Sequence, residues 1–265
     1  MKCRQIIDVL EKLAPPQLAE SYDNVGLLVG DDKKDVKKIM IALDASKDVV
    51  SQAIDANVDM LITHHPMIFK GIKQVSASNF LGEKILYLAK NNIAYYASHT
   101  NMDNAVMSKI ASDKLGLTNI KYIEPIGVSV DNNDVAYGTG RLGELAKEMS
   151  LKEFAMKVKK DLNISNIRVV GKLDKSIKKV AVIPGSGKSY LSEVLQGKAD
   201  VFLTGDIDHH IAIDVMDMDF ALVDGGHFDT ERFFVEFVKE YLMNKLDSEH
   251  LEIVLAIEEG PFIYL

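Results

Sequence analysis

Apolar residues recur along the chain in two alternating periods. Ile6, Val9, Leu10 and Leu13 return every three or four residues, the stripe of an amphipathic helix. Lys38–Leu43 is an apolar run of strand length, and Ser46–Ala56 reads as a helix with Ser46 at its N-cap. Val58–Thr63 predicts a second strand, Phe80–Asn91 a helix, Ile93–Ser98 a third strand and Asn104–Leu115 another helix. The scheme then repeats. Ser150 and Glu153 form a capping box for a helix ending near Leu162. Strands are expected at Ile167–Val170, Lys179–Ile183, Val201–Thr204 and Phe220–Val223. A long helix is expected from about Thr230 to Leu246, because Phe233, Phe234, Phe237, Val238, Tyr241 and Leu242 keep the 3.6-residue period. Such alternation predicts βαβ units, a largely parallel sheet and an α/β fold.

The two halves also match each other. Shifted by 141 positions, Lys37–Thr63 lies on Lys178–Thr204 without a gap. Lys37, Lys38, Lys47, Ser51, Asp59 and Thr63 then meet Lys178, Lys179, Lys188, Ser192, Asp200 and Thr204, and the apolar strand positions coincide. Two unrelated βαβ units would share part of this pattern. The reading adopted is two similar α/β domains from an internal duplication. Residues 1–124 form the first and 125–265 the second, with the C-terminal strand free to return to the first. The polar, turn-rich stretch Glu124–Asp134 marks the boundary.

Composition narrows the chemistry. The 265 residues hold a single cysteine, Cys3, so neither an intrachain disulfide nor a cysteine-cluster zinc site can form. A net charge of -8 argues against a dominant electrostatic grip on nucleic acid, without excluding a local basic patch. Apolar runs such as Ile39–Leu43 are far shorter than the roughly 18 residues of a membrane span. Arg4, Asp8, Glu11 and Lys12 interrupt any signal-peptide core, so a cytoplasmic location is expected.

The reactive residues gather after predicted strands. His64-His65-Pro66 follows the second strand, and His99-Thr100-Asn101-Met102-Asp103 the third. Gly205-Asp206-Ile207-Asp208-His209-His210 follows Val201–Thr204, and Asp224-Gly225-Gly226-His227-Phe228-Asp229-Thr230-Glu231 follows Phe220–Val223. Six of the seven histidines lie in these segments. Ligands of open α/β sheets bind beyond the carboxyl ends of strands. Imidazole and carboxylate together suit Zn, Mn, Fe or Ni. His227 and Glu231 are four apart, so at a helix start they share one face. His64 and His65 would point to opposite faces of a continuing strand, but Pro66 discourages continuation and a loop can aim both inward. One histidine on each of two ions then becomes natural, with Asp103 able to bridge. Taken singly, each motif has a plainer reading: a solvated His pair, a surface helix pair, an N-cap aspartate. Their coincidence at strand ends is what favours a metal site. Pro184-Gly185-Ser186-Gly187-Lys188-Ser189 is not a P-loop, because that motif requires Gly where Val182 stands. It reads as a Gly turn before a helix, with backbone N–H groups that an anion would suit. In Ser21–Gly30, Asp23 and Asn24 are candidates to line a pocket.

These segments resemble the NIF-three-like family, also called the GTP cyclohydrolase 1 type 2 family. The resemblance is carried by Tyr-Asp-Asn-Val-Gly-Leu at 22–27 and Leu-Ile-Thr-His-His-Pro at 61–66, then Tyr-Ala-Ser-His-Thr-Asn-Met-Asp at 96–103. Thr-Gly-Asp at 204–206 with His209-His210 and Gly-Gly-His-Phe-Asp-Thr-Glu at 225–231 complete it. Tyr22 stands where the family often has Trp, and Asp206 where it often has Glu. The chain has no room for the domain that longer members insert. The resemblance implies two similar α/β domains with a dinuclear metal site between them, and subunits assembled into a hollow homohexamer, a trimer of dimers. It implies His64, His65, Asp103, His227 and Glu231 as ligands of two divalent ions per subunit, roughly 3.5–4 Å apart as in two-metal hydrolytic sites. His99 is implied as a close neighbour.

The activity implied is metal-dependent hydrolysis. The family name points to ring opening of a guanine nucleotide by a metal-bound hydroxide, with release of formate, and GTP as the small-molecule substrate. The same centre would suit phosphoester or amide hydrolysis. Proton transfer needs a histidine near the metals, and His99, His209 and His210 are the catalytic candidates. The alternative is a non-catalytic metal-binding protein, or a ring that binds a partner, with DNA disfavoured by the charge.

Overall fold

The computed structural model of the chain describes residues 1–130, 133–246 and 251–264. In chain order it begins with α1 (Cys3–Leu13), β1 (Gly26–Val29), β2 (Lys38–Ala42), α2 (Lys47–Asp55) and β3 (Met60–Thr63). Next come α3 (Phe80–Lys90), β4 (Ala94–Ala97), α4 (Thr100–Met102), a π-helical segment (Asp103–Met107) and α5 (Ser108–Lys114). Then follow β5 (Thr118–Val130), β6 (Asn133–Ser150), α6 (Leu151–Asp161), β7 (Arg168–Val170) and β8 (Ser176–Val182). The chain ends with α7 (Leu191–Gln196), β9 (Val201–Thr204), α8 (His209–Asp217), β10 (Ala221–Asp224), α9 (His227–Glu231), α10 (Phe233–Lys245) and β11 (Glu252–Leu255).

The chain forms two compact units. Unit 1 comprises Met1–Met102 and Phe234–Leu265, and unit 2 comprises Asp103–Phe233. The division thus falls at Met102/Asp103 and Phe233/Phe234 rather than at Glu124–Asp134. That polar stretch lies in the hairpin of β5 and β6, which pair antiparallel, while Asp131 and Asn132 fall outside the described residues. Pro125 and the turn residues hid the hairpin, because proline within a run demotes it as a strand. At the other end β11 pairs parallel with β2 in the sheet of unit 1.

Unit 1 has a five-stranded sheet in the order β1-β4-β3-β2-β11. Its strands are parallel except β1, which runs antiparallel to β4. Unit 2 has a six-stranded sheet, β5-β6-β8-β9-β10-β7, in which β8, β9 and β10 are parallel and the rest antiparallel. The fold is therefore α/β with two mixed sheets. β3, β4, β9 and β10 are buried along their whole length, and β2 and β8 are buried from Ile39 and Val180 onward, as strands covered on both sides must be. Tyr95, Leu61 and Val50 centre one core of unit 1, and Phe154, Val180 and Leu203 centre one of unit 2.

Residues 141 positions apart make the same bonds. Asp59 accepts the backbone N–H groups of Lys37 and Lys38 at 2.8 and 3.1 Å, and Asp200 those of Lys178 and Lys179 at 2.9 and 2.7 Å. Each carboxylate ties the start of one strand to the start of the next. Caps also follow the residue pattern. The Ser46 hydroxyl accepts from Val49 N–H at 3.1 Å, and Ser150 with Glu153 closes the capping box. The long C-terminal helix is interrupted, α9 ending at Glu231 and α10 starting at Phe233. Among the described residues no helix is long and apolar enough to cross a membrane.

Candidate metal centre

In unit 1 the strands stop where the histidines begin. β3 ends at Thr63, and the Thr63 and Tyr95 hydroxyls both donate to the His65 carbonyl, at 2.8 and 3.0 Å. Met67 N–H donates to the Tyr95 hydroxyl at 2.9 Å, so the turn through Pro66 is held from beneath. The chain therefore leaves the sheet at once, and both adjacent imidazoles fall on one side. Ring centroids of His64 and His65 are 4.9 Å apart, and those of His99 lie 5.3 and 5.4 Å from them. Each of the three offers a ring nitrogen within 4.8 Å of the others.

Every one of these rings is held by Nδ1. His64 Nδ1–H donates to the Ser98 carbonyl at 2.8 Å, His65 Nδ1–H to Asp44 Oδ1 at 2.9 Å, and His99 Nδ1–H to Asp23 Oδ1 at 2.9 Å. Such partners fix the tautomer, leaving the Nε2 lone pair for a metal, and raise ligand basicity. Asp44 is positioned in turn by Glu258, whose carboxylate accepts Leu43 and Asp44 N–H at 2.7 and 3.0 Å. Burial pushes the Glu258 carboxyl up, against the pull of those two N–H groups. Burial also raises the Asp23 carboxyl, but hydrogen bonds from His99 and Thr100 outweigh it and hold it well below the usual carboxylate range. Asp23 thus stays ionised beneath His99.

Unit 2 presents carboxylates. α9 starts after Gly226, whose φ of 77 lets the chain turn sharply off β10. His227 and Glu231, one turn apart, place Nε2 and Oε2 3.1 Å from each other, and Glu231 is only 3% exposed. His227 Nδ1 bonds Asp206 Oδ2 at 2.7 Å. Asp103 opens the π-helical segment, a rare geometry that often marks functional positions. It offers an oxygen within 4.8 Å of the Glu231 carboxylate.

A glycine makes the space beside Glu231. A Cβ built on Gly185 would collide with Glu231 Oε1 and stand 3.4 Å from His227 Nε2. The Gly185 backbone cannot withdraw. Its N–H donates to Thr230 Oγ1 at 2.9 Å, and its carbonyl accepts from Gly205 N–H and Thr204 Oγ1. Gly187 N–H likewise donates to Thr204 Oγ1. These two amides are engaged within the protein rather than turned to an anion. Three imidazoles anchored at Nδ1, the His227–Glu231 pair beside a glycine-cleared space, and Asp103 within reach of Glu231 offer donor types that fit a divalent transition metal.

Of the candidates, His64, His65 and His99 thus come together within unit 1, and Asp103, His227 and Glu231 within unit 2. His209 and His210 start α8 behind the N-cap Asp208, are exposed, and pair with each other at 5.5 Å. They are not among the groups of potential ligands. Sequence reasoning missed Asp44 and Glu258, named Asp206 without a role, read Gly185 as part of a turn, and gave Asp23 only a pocket-lining role. Thr-Gly-Asp at the end of a strand was the one available signal for Asp206.

Proton and metal compete at His227. Burial disfavours its charge, but Glu231 and then Asp206 overcome that and raise the imidazole to about 9 from 6.5. In the metal-free protein the imidazolium's contribution to stability is full below 6.5 and lost as pH rises through about 9. A metal must displace that proton. Zinc affinity measured between pH 7 and 9 is therefore expected to rise about tenfold per pH unit for this proton, flattening above. A pH-independent affinity would remove His227 from the ligand set.

A family model described as Duf34/NIF3 (NGG1p interacting factor 3) matches residues 1–261. A Clostridium perfringens protein named "GTP cyclohydrolase 1 type 2 homolog" is 34% identical over 269 residues, covering 100% of both chains. A Clostridium acetobutylicum protein of the same name is 38% identical over 233 residues, 87% of this chain and 85% of the other. The crystal structure of a Bacillus cereus protein related to NIF3 superposes with a TM-score of 0.90 at 27% identity, covering 100% of this chain and 99% of that one.

Proposed function

The chain belongs to the DUF34/NIF3 family, and on that premise we propose that it is a metal-dependent hydrolase whose two donor sets hold two divalent ions per chain. His64 and His65 supply nitrogen donors, Asp103, His227 and Glu231 supply the rest, and His99 stands beside His64 and His65. The observation that carries the reading is the shared arrangement of the unit 1 histidines. All three donate through Nδ1 to a fixed acceptor, so their Nε2 atoms are prepared in advance. A closed structural site would not leave its histidines partly exposed, as His65 and His99 are. The repeated Asp59 and Asp200 bonds support descent of the two units from one duplicated half.

When bound, divalent ions would acidify water and polarise the bond under attack. The chain's own residues do the rest. Asp44 and Asp23 orient His65 and His99. Asp206 holds His227 toward Glu231. His99, His209 and His210 are the groups proposed to move protons. The names of the Clostridium relatives make GTP the first substrate to test, with water consumed and C8 of the guanine leaving as formate.

The test is formate release by the metal-loaded protein from GTP, beside a phosphoester panel. His209→Ala and His210→Ala, both at exposed positions, are expected to keep metal content while the rate falls by about 10²–10⁴-fold, the usual weight of a general acid–base group. Unchanged rates in both would release them from that role. A metal-loaded wild type that turns over nothing would favour the non-catalytic metal-binding reading.

A further inference from the structure

Two exposed aromatic rings stand beside the unit 1 histidines. Tyr22 is 64% and Phe69 40% exposed, although large apolar side chains gain by burial. Single exposed aromatics are ordinary. These two are different because they face each other, with ring centroids 6.3 Å apart and planes inclined at 55°. Phe69 in turn meets His99 edge-on at 6.3 Å. A row of π faces thus leads from the surface, through Tyr22 and Phe69, to the imidazole cluster.

The row is built rather than accidental. Asp23 accepts from His99 Nδ1–H and from Thr100 N–H at 2.9 and 3.0 Å, which fixes the residue next to Tyr22 to the start of α4. Glu20 N–H donates to Thr100 Oγ1 at 2.9 Å on the other side. Asn24 Nδ2–H donates to the Ile68 carbonyl at 2.5 Å, tying the same turn to the residue before Phe69. Three segments distant in sequence are therefore bonded so that two rings stay open to solvent. The loop carrying Phe69 continues with exposed Lys70 and Lys73.

We infer that Tyr22 and Phe69 form a stacking wall for a planar heteroaromatic ring carrying anionic groups, the chemistry of a nucleotide, and that this wall sets the specificity of the site. The inclined pair accepts a flat ring on one face with its edge toward the other, the offset and edge-to-face contacts aromatic systems prefer. Lysine ammonium groups in the same loop suit the phosphates. The inference rests on the hydrolase reading for its substrate role but is tested by binding alone.

The chain contains no tryptophan, so Tyr22→Trp installs a single reporter. In the metal-loaded full chain its fluorescence should be quenched by GTP and not by inorganic tripolyphosphate. Tyr22→Ala and Phe69→Leu should weaken GTP binding by about 5- to 100-fold, the range for loss of one base–aromatic stack. Tripolyphosphate affinity and metal content should not change. GTP binding that depends on Tyr22 in a protein without turnover supports the wall while removing the hydrolase. Equal GTP affinity of Tyr22→Ala and wild type overturns the wall. So does a wild type that binds tripolyphosphate as well as GTP, or binds neither.

Discussion

Glu231→Gln is expected to strip the protein of divalent metal and to abolish hydrolysis with it. The carboxylate is 3% exposed, 3.1 Å from His227 Nε2, and has an Asp103 oxygen within 4.8 Å. Glutamine fills the same volume but brings no charge and presents N–H donors to a cation. Removing a partner behind a ligand typically costs 10–100-fold in metal affinity, so losing a ligand itself should cost more than about 100-fold. The same substitution withdraws the main attraction that raises His227, whose imidazole should return from about 9 toward its ordinary range. Elemental analysis, turnover and an NMR titration of His227 should therefore move together. Full metal content and full activity in this variant would show the assignment of Glu231 to be wrong.

Gly185→Ala should do comparable damage from outside the ligand set. The added methyl would collide with Glu231 Oε1, on a backbone fixed by Thr230, Gly205 and Thr204. The residue also has φ +66, where an L side chain costs about 1–2 kcal/mol. Overpacking adds about 1–3 kcal/mol. A loss of about 2–5 kcal/mol of stability is expected, with Glu231 displaced and metal affinity reduced at least about tenfold. Gly116→Ala separates the two causes. Gly116 has φ +64, but a Cβ there meets nothing within 4 Å, so it should show the backbone cost alone and keep its metal. Equal denaturation midpoints and equal metal content for the two variants would refute the steric account.

Much of this architecture was legible because burial on both faces leaves an unmistakable mark. Val201–Thr204 and Lys38–Leu43 read as buried strands, and the aligned Asp59 and Asp200 turn out to make the same bonds. The histidines were legible through their position after such strands. What could not be read was whatever depends on chain crossings. Nothing local marks Asp44 as the partner of His65, since 21 residues separate them. Gly185 looked like turn chemistry, while its reason is a carboxylate 46 positions later. The β5–β6 hairpin was hidden by the residues that usually end structure, Pro125 and Gly127. The unit boundary was then drawn at the hairpin instead of in the helical run at Met102/Asp103. Tyr22 and Phe69 carry no periodic signal, and only the Asn24–Ile68 bond brings their significance out.

The central claim is that these donors hold metal, and reconstitution tests it most directly. The purified chain is stripped with chelator, reloaded with Zn or Mn, freed of excess ion and analysed for metal against protein. The account predicts two equivalents per 29.4-kDa chain, with protons released on binding. No retained metal in a folded protein that carries all five donors would contradict it.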